Sequence, residues 1–178
     1  TTTTTINSVW RNDGTYWERV HDSLTFSMDS INAVEVSPDF TTDAAVFIAD
    51  TGSSPKIYRS TNGGGWFKPQ PGAPTKINAW VVLNSSTIIC GGDSGTNYIS
   101  KNNGITWPAK TASGLGNIVN YALSPDFDND STILAGSSNG YVARSTDGGS
   151  KWASLPAGVP VTTSGGNLHV AFDSAFAN

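Results

Sequence analysis

One short pattern recurs four times along the chain: Trp10-Arg11-Asn12-Asp13-Gly14-Thr15-Tyr16-Trp17, Ser60-Thr61-Asn62-Gly63-Gly64-Gly65-Trp66-Phe67, Ser100-Lys101-Asn102-Asn103-Gly104-Ile105-Thr106-Trp107 and Ser145-Thr146-Asp147-Gly148-Gly149-Ser150-Lys151-Trp152. Its core is Asn/Asp-x-Gly-x-x-aromatic, and the Asn or Asp positions are 50, 40 and 45 residues apart. A period of this size marks a supersecondary unit that must stack on its neighbours to bury a core. It points to a radial or stacked β array.

The box has a direct physical reading. A tight hairpin needs positive φ at its Gly, here Gly14, Gly64, Gly104 and Gly149, while Asn12, Asn62, Asn102 or Asp147 folds back onto nearby N–H groups. Ser60, Ser100 and Ser145 at the front can add a second such bond. The closing aromatic, Trp17, Phe67, Trp107 or Trp152, is large enough to fill the space between neighbouring sheets, so all four are expected among the most buried side chains.

A second marker keeps the same beat: Ile31-Asn32-Ala33-Val34-Glu35-Val36, Ile77-Asn78-Ala79-Trp80-Val81-Val82, Val119-Asn120-Tyr121-Ala122-Leu123 and Asn167-Leu168-His169-Val170-Ala171-Phe172. Between the markers lie short β-prone runs bounded by turn residues, at 45–49, 56–59, 87–90, 97–100, 131–135 and 141–144. The reading is all-β: four-stranded units over 31–70, 77–110 and 118–156, a partial unit over 9–22 with only its third and fourth strands, and another over 166–178 with only its first. Residues 1–8 are a Thr-rich linker or an edge strand. Cys90, the single cysteine, falls in the apolar run Thr87-Ile88-Ile89-Cys90 and reads as a buried strand residue.

The octet from Ser145 to Trp152 matches Ser/Thr-x-Asp-x-Gly-x-x-Trp/Phe, and the chain resembles the Asp-box, or BNR-repeat, β-propellers. That group includes sialidases, sortilin-type receptors, xyloglucanase-type glycosidases and bacterial or archaeal surface-layer-like proteins. Ser-Pro-Asp-Phe at 37–40 and 124–127 is similar to a version common in extracellular repeat proteins. The departures are Asn at 12, 62 and 102, and Trp10 in place of the leading Ser/Thr. The resemblance implies four-stranded antiparallel blades in which the box joins the third and fourth strands, away from any active site. Propellers close with four to eight blades. Three complete and two partial blades therefore make either a section of a larger ring, or a ring of four sealed between the two ends with Thr1–Ile6 supplying a strand.

Composition excludes several function classes. Charged residues make up 13% of the chain, the net charge is -4, and the ten Lys and Arg are scattered singly, so nothing resembles a basic stripe for nucleic acid. No apolar run approaches a membrane span, and no charged-then-apolar leader precedes Thr1.

Candidate chemistry is thin. A sialidase-like clamp would need converging arginines, yet Arg59 and Arg144 hold equivalent peripheral positions, leaving only Arg11 and Arg19. Glycosidases need two carboxylates about 5 to 9.5 Å apart; the glutamates are Glu18 and Glu35, and only Asp22, Asp50 and Asp93 stand out from the repeat. His21 and His169 read as structural or solvated. Asp126, Asp128 and Asp130 alternate on a turn, with a thinner version at Asp39 and Asp43, and calcium is the one ion this chemistry points to. No motif implies a cofactor. Asn84 and Asn129 head Asn-x-Ser/Thr sequons for glycosylation. Trp10, Trp66 and Trp80 are candidates for stacking on sugar rings.

These features read as a non-catalytic, secreted or cell-surface module of a structural, filament-like or binding assembly. Its partners would be other blades or copies of itself, with carbohydrate or peptide as ligand, as in a sortilin-like receptor. The alternative is a glycoside hydrolase-type propeller whose catalytic carboxylates lie partly outside this chain.

Overall fold

A computed structural model describes residues 6–26, 30–31, 33–50, 54–155 and 166–176. The threonine run at 1–5, Asn32 of the second marker, and residues 156–165 lie outside the described residues. The elements in chain order are β1 (Ser8–Asn12), β2 (Trp17–Asp22), β3 (Ala33–Val36), α1 (Phe40–Asp43), β4 (Val46–Ala49), β5 (Ile57–Ser60), β6 (Lys68–Pro69), β7 (Ala79–Val82), β8 (Ile88–Gly91) and β9 (Thr96–Ser100). They continue with β10 (Ala109–Thr111), β11 (Ile118–Leu123), α2 (Phe127–Asp130), β12 (Ile133–Ser137), β13 (Val142–Ser145) and β14 (Ala153–Ser154).

The strands form one two-stranded sheet, β1-β2, and three four-stranded sheets, β3-β4-β5-β6, β7-β8-β9-β10 and β11-β12-β13-β14. Each four-stranded sheet runs in chain order as an antiparallel meander, so every pairing is local and each box is a hairpin between third and fourth strands. All four residues of β4 and of β8 are buried, Cys90 among them. Strands covered on both faces read as unbroken apolar runs, which is why Val-Phe-Ile-Ala and Ile-Ile-Cys-Gly lack alternation. No described helix is long and apolar enough to cross a membrane.

The chain divides into two compact units: Thr1–Lys76 with Val82–Ile88 and Lys101–Thr106, and Ile77–Val81 with Ile89–Ser100 and Trp107–Asn178. The core of the first gathers Val46, Ile48, Tyr58 and Phe67, with Val9, Val20, Phe26 and Ile31 packed against them. That of the second gathers Ala112, Leu115, Ile118, Ala135 and Ala143, flanked by Ala79, Tyr121 and Trp152.

Three details differ from the sequence reading. The second marker slips by one residue: Ala33 faces Ala49 in the first four-stranded sheet, whereas an irregularity between Ile118 and Asn120 brings Asn120 itself opposite Gly136 in the third. Each Ser-Pro-Asp-Phe motif opens a single helical turn, α1 or α2, which leaves through a left-handed residue, Ala44 or Ser131. The segment expected as a first strand at 167–172 forms no strand.

That segment nonetheless lies where a first strand would lie. The Ile118 N–H donates to the Gly92 carbonyl at 3.0 Å as β11 crosses the preceding sheet, and the Leu168 N–H donates to the Ser137 carbonyl at the same distance. A side chain on Gly91 would strike Ile118, and one on Gly136 would strike the Leu168 carbonyl. The Asn120 side-chain amide then holds the Val170 backbone at both its N–H and its carbonyl, at 3.1 and 2.9 Å.

Candidate functional site

The boxes come first, because they recur. In the fourth, the Ser145 hydroxyl donates to Asp147 Oδ1 at 2.9 Å and accepts the Gly149 N–H at 2.9 Å, while Asp147 Oδ1 also accepts the Lys151 N–H at 2.8 Å. Trp152 Nε1 donates to the Gly149 carbonyl at 3.0 Å, which fixes the indole across the turn. The second box repeats the set with an amide: Ser60 donates to Asn62 Oδ1 and accepts the Gly64 N–H, and Asn62 Oδ1 accepts the Trp66 N–H. In the third, behind a buried Ser100, Asn102 Oδ1 accepts the Thr106 N–H at 3.0 Å. In the first, Asn12 accepts the Gly14 N–H, and Asp13 takes over the N–H groups of Thr15 and Tyr16. Gly14, Gly64, Gly104 and Gly149 all have φ between 82 and 95°.

A side-chain oxygen accepts the closing N–H at the key position in every box, so Asn serves where the motif has Asp, and in the third box the Asn102 amide also donates to the Thr106 hydroxyl at 2.9 Å. Burial pushes the Asp147 carboxyl up, but the N–H groups of Lys151 and Ser150 and the Ser145 hydroxyl outweigh it and hold the group below the usual range.

The four closing aromatics are not alike. Phe67 is buried, Trp107 and Trp152 are half-buried, and Trp17 is 66% exposed. The expectation that all four would rank among the most buried side chains holds at Phe67 and fails at the three tryptophans, most strongly at Trp17, whose indole faces solvent on the two-stranded sheet.

The other candidate groups are dispersed. Arg11 pairs with Glu18 at 2.6 Å, Arg59 stacks over the Phe47 ring at 5.8 Å, and Arg144 is exposed on β13, so no clamp forms among them. Asp22 caps its own turn through the Thr25 N–H and hydroxyl, Asp93 accepts from the Asn78 amide, and buried Asp50 accepts from the Ser30 N–H and hydroxyl. His21 is buried, stacked on Phe26 at 4.0 Å with Tyr58 and Phe67 edge-on. Its burial lowers its pKa, against the smaller pull of Asp22. His169 is exposed.

The three carboxylates at 126, 128 and 130 do not converge. Asp130 is occupied by the Ser124 hydroxyl and the Thr132 N–H, and Asp126 accepts from the Asn129 amide. Asp43 repeats the first arrangement with Ser37 and Ala45. Among the described residues no three His, Cys, Asp or Glu side chains are grouped to hold a metal ion. Of the sequons, Asn129 is exposed, while Asn84 closes its turn by accepting from the N–H groups of Ser86 and Thr87. Trp66 is partly exposed under the Lys68 ammonium, Trp80 is half-buried, and Trp10 is 53% exposed with its Nε1 on the Ser8 hydroxyl.

Two features were not singled out from sequence. Glu35 on β3 accepts the Val82 N–H at 3.2 Å, and burial raises its pKa against that hydrogen bond. A cleft of about 230 Å³ opens against Val34, Val36, Phe40 and Phe67, with Trp10 and Val20 at its side, and its lining is almost wholly apolar. The surface signal was present as alternation in β3, where Val34 and Val36 share one face.

The chain is similar in structure to YCF48 from Cyanidioschyzon merolae, with a TM-score of 0.65 and 18% identity over 86% of this chain and 52% of that one. It is also similar to a GH74 enzyme from Niastella koreensis, with a TM-score of 0.52 and 22% identity over 72% and 23% of the two chains. The GH74 xyloglucanase from Xanthomonas campestris gives a TM-score of 0.55 and 19% identity over 74% and 24%. The sheets are β-propeller blades. At these identities the likeness is one of fold, and the chain spans about half or less of each of these proteins. No protein-family model matches the chain, and no curated protein matches it. Within the blade frame, the two-stranded sheet pairs two strands around a box, and the 168–172 segment is held to the third four-stranded sheet at Ser137 and Asn120.

Proposed function

We propose that the chain is part of an Asp-box propeller that acts as a non-catalytic scaffold at the cell surface or in a secreted assembly. The observation that carries this reading is how the acidic side chains are used. Asp13, Asp22, Asp43, Asp130 and Asp147 all cap turns through N–H or hydroxyl donors, and all are held below the ordinary carboxylate range. A carboxylate committed to closing a turn is a poor proton donor, because protonation breaks the turn. The low charge, the abundance of Ser, Thr and Asn, and the exposed sequon at Asn129 suit an extracellular surface. Carbohydrate or peptide would be its small ligands, and other blades or copies its large ones.

One observation favours the glycoside hydrolase alternative. Burial raises the Glu35 pKa, the direction a general acid requires, and two of the similar structures are GH74 enzymes. Fold alone does not carry an activity. Incubating the chain with xyloglucan, other β-glucans and sialosides, and measuring released reducing sugar, separates the two. The scaffold reading predicts release no greater than the blank; release that Glu35→Gln abolishes contradicts it.

A further inference from the structure

His21 sits where the β1-β2 hairpin meets the first four-stranded sheet. Its imidazole lies flat on Phe26 at 4.0 Å, and the rings of Tyr58 on β5 and Phe67 of the second box stand edge-on to it at 4.9 and 5.3 Å. The residue is 2% exposed, and around it Val9, Val20 and Phe26 pack against Val46, Tyr58 and Phe67. Two polar links join the same surfaces: the Tyr58 hydroxyl donates to the Phe26 carbonyl at 2.5 Å, and the Arg11 guanidinium reaches the Gly63 carbonyl at 3.4 Å. The apolar cleft follows this contact, with Val9 and Val20 on the hairpin side and Val46 and Phe67 on the other.

A neutral imidazole suits such a box, whereas an imidazolium brings a second N–H donor and a full charge into apolar packing, where both cost far more than in water. The charged groups on the surrounding elements are engaged elsewhere or face solvent. On the hairpin, Arg11 and Glu18 pair with each other at 2.6 Å, Arg19 is exposed, and Asp22 closes its own turn on Thr25. On the first sheet, Asp50 accepts from Ser30, Lys56 is exposed, Arg59 lies over Phe47, and the Lys68 ammonium lies over Trp66. Asp22 favours a charged His21, but burial outweighs it and lowers the His21 pKa. The second unit is built differently: its histidine, His169, is exposed, so the same acid step places no charge in the core of Ala112, Leu115 and Ile118.

We propose that this contact is an acid-sensitive switch: protonation of His21 inside its ring of aromatic side chains loosens the β1-β2 hairpin from the first four-stranded sheet and widens the apolar cleft between them, while the second unit keeps its packing. The change is local because the imidazolium gains water as soon as Phe26, Tyr58 and Phe67 part from it, and the strand pairing within each sheet does not depend on those rings. It goes beyond the scaffold reading and holds whatever the chain binds.

Amide hydrogen exchange of the whole chain, read by mass spectrometry between about pH 8 and about pH 5 and corrected for the intrinsic effect of pH, tests this. On the acid side, peptides covering Phe26 and the outer strand β6 should lose protection several-fold, while β8 and β12 keep theirs, and His21→Phe should remove the acid-specific loss. Where that variant does not fold, nuclear magnetic resonance titration of the wild-type imidazoles decides, with exposed His169 as the reference: loss of protection should track protonation of His21. Protection that stays constant as His21 takes up its proton overturns the proposal. So does a loss shared equally by β8 and β12, or one that persists in His21→Phe.

Discussion

Val34 and Tyr121 occupy the same place in two copies of one blade, two residues before the strand end that pairs with Val46 in one and Ile133 in the other. Val34 is 49% exposed at the mouth of the apolar cleft. Tyr121 is packed beside Trp152 at 5.8 Å, with its hydroxyl donating to Asn97 Oδ1 at 2.6 Å, and burial pushes its pKa well above the phenolic value. The repeat sets the backbone and the direction of the side chain. Whether that side chain is core or surface is set by the blade next to it: four complete strands in one case, a two-stranded hairpin in the other. Phe67 and Trp17 differ by whether any neighbour is there: Phe67 packs with Val9 and Val20 of the β1-β2 hairpin, whereas no blade precedes Trp17 among the described residues.

Substitution should separate these pairs. Phe67→Ala removes a buried ring from the first unit's core and should cost about 3 to 5 kcal/mol, while Trp17→Ala, at an exposed position, should stay within about 0.5 kcal/mol; urea unfolding of dilute protein reads both. Equal losses would mean that the two box aromatics share one environment. Tyr121→Phe leaves the ring and strips the hydroxyl from Asn97, for an expected loss of about 1 to 2 kcal/mol by the same assay, whereas Val34→Thr should cost less than about 0.5 kcal/mol.

Acid should act on the hairpin side through His21. Its folded pKa lies below the ordinary 6.5 because of burial, so the unfolded chain binds more protons in the interval between the two values. The stability it contributes is therefore complete above about 6.5 and is lost as the pH falls below that value toward the folded pKa. Comparing unfolding midpoints at neutral and mildly acidic pH for wild type and His21→Phe should show a drop in wild type that the variant lacks. A drop of the same size in both would assign it to other groups.

A small effect is also expected at the fourth box. Asp147→Asn keeps the Oδ1 that accepts from Ser145 and Lys151, as Asn62 does with Ser60 and Trp66, and should cost less than about 1 kcal/mol at neutral pH. A loss of several kcal/mol would show that the charge itself, and not the oxygen, closes the turn.

Local chemistry was legible in the sequence wherever it is complete within a few residues. The positive φ at Gly149, the Ser145–Asp147 bond and the strand after each turn follow from the octet alone. The slip that brings Asn120 opposite Gly136 was not legible, because a backbone irregularity leaves the order of apolar residues unchanged. Asp126, Asp128 and Asp130 read as alternating ligands, yet a helical turn at 127–130 rotates them apart and Ser124 claims the last. Glu35 was named only as one of two glutamates, because the backbone N–H that meets its carboxylate belongs to Val82, 47 residues away. Trp17 was misjudged for the reason that separates Val34 from Tyr121: a repeat read by itself assumes a neighbour on both sides.

The most direct measurement is hydroxyl-radical footprinting of the tryptophans by mass spectrometry across a dilution series. Trp17 should be oxidised several-fold faster than Trp152 at every dilution. Equal rates for the two at every dilution would contradict the claim that a preceding blade decides which box aromatic is buried.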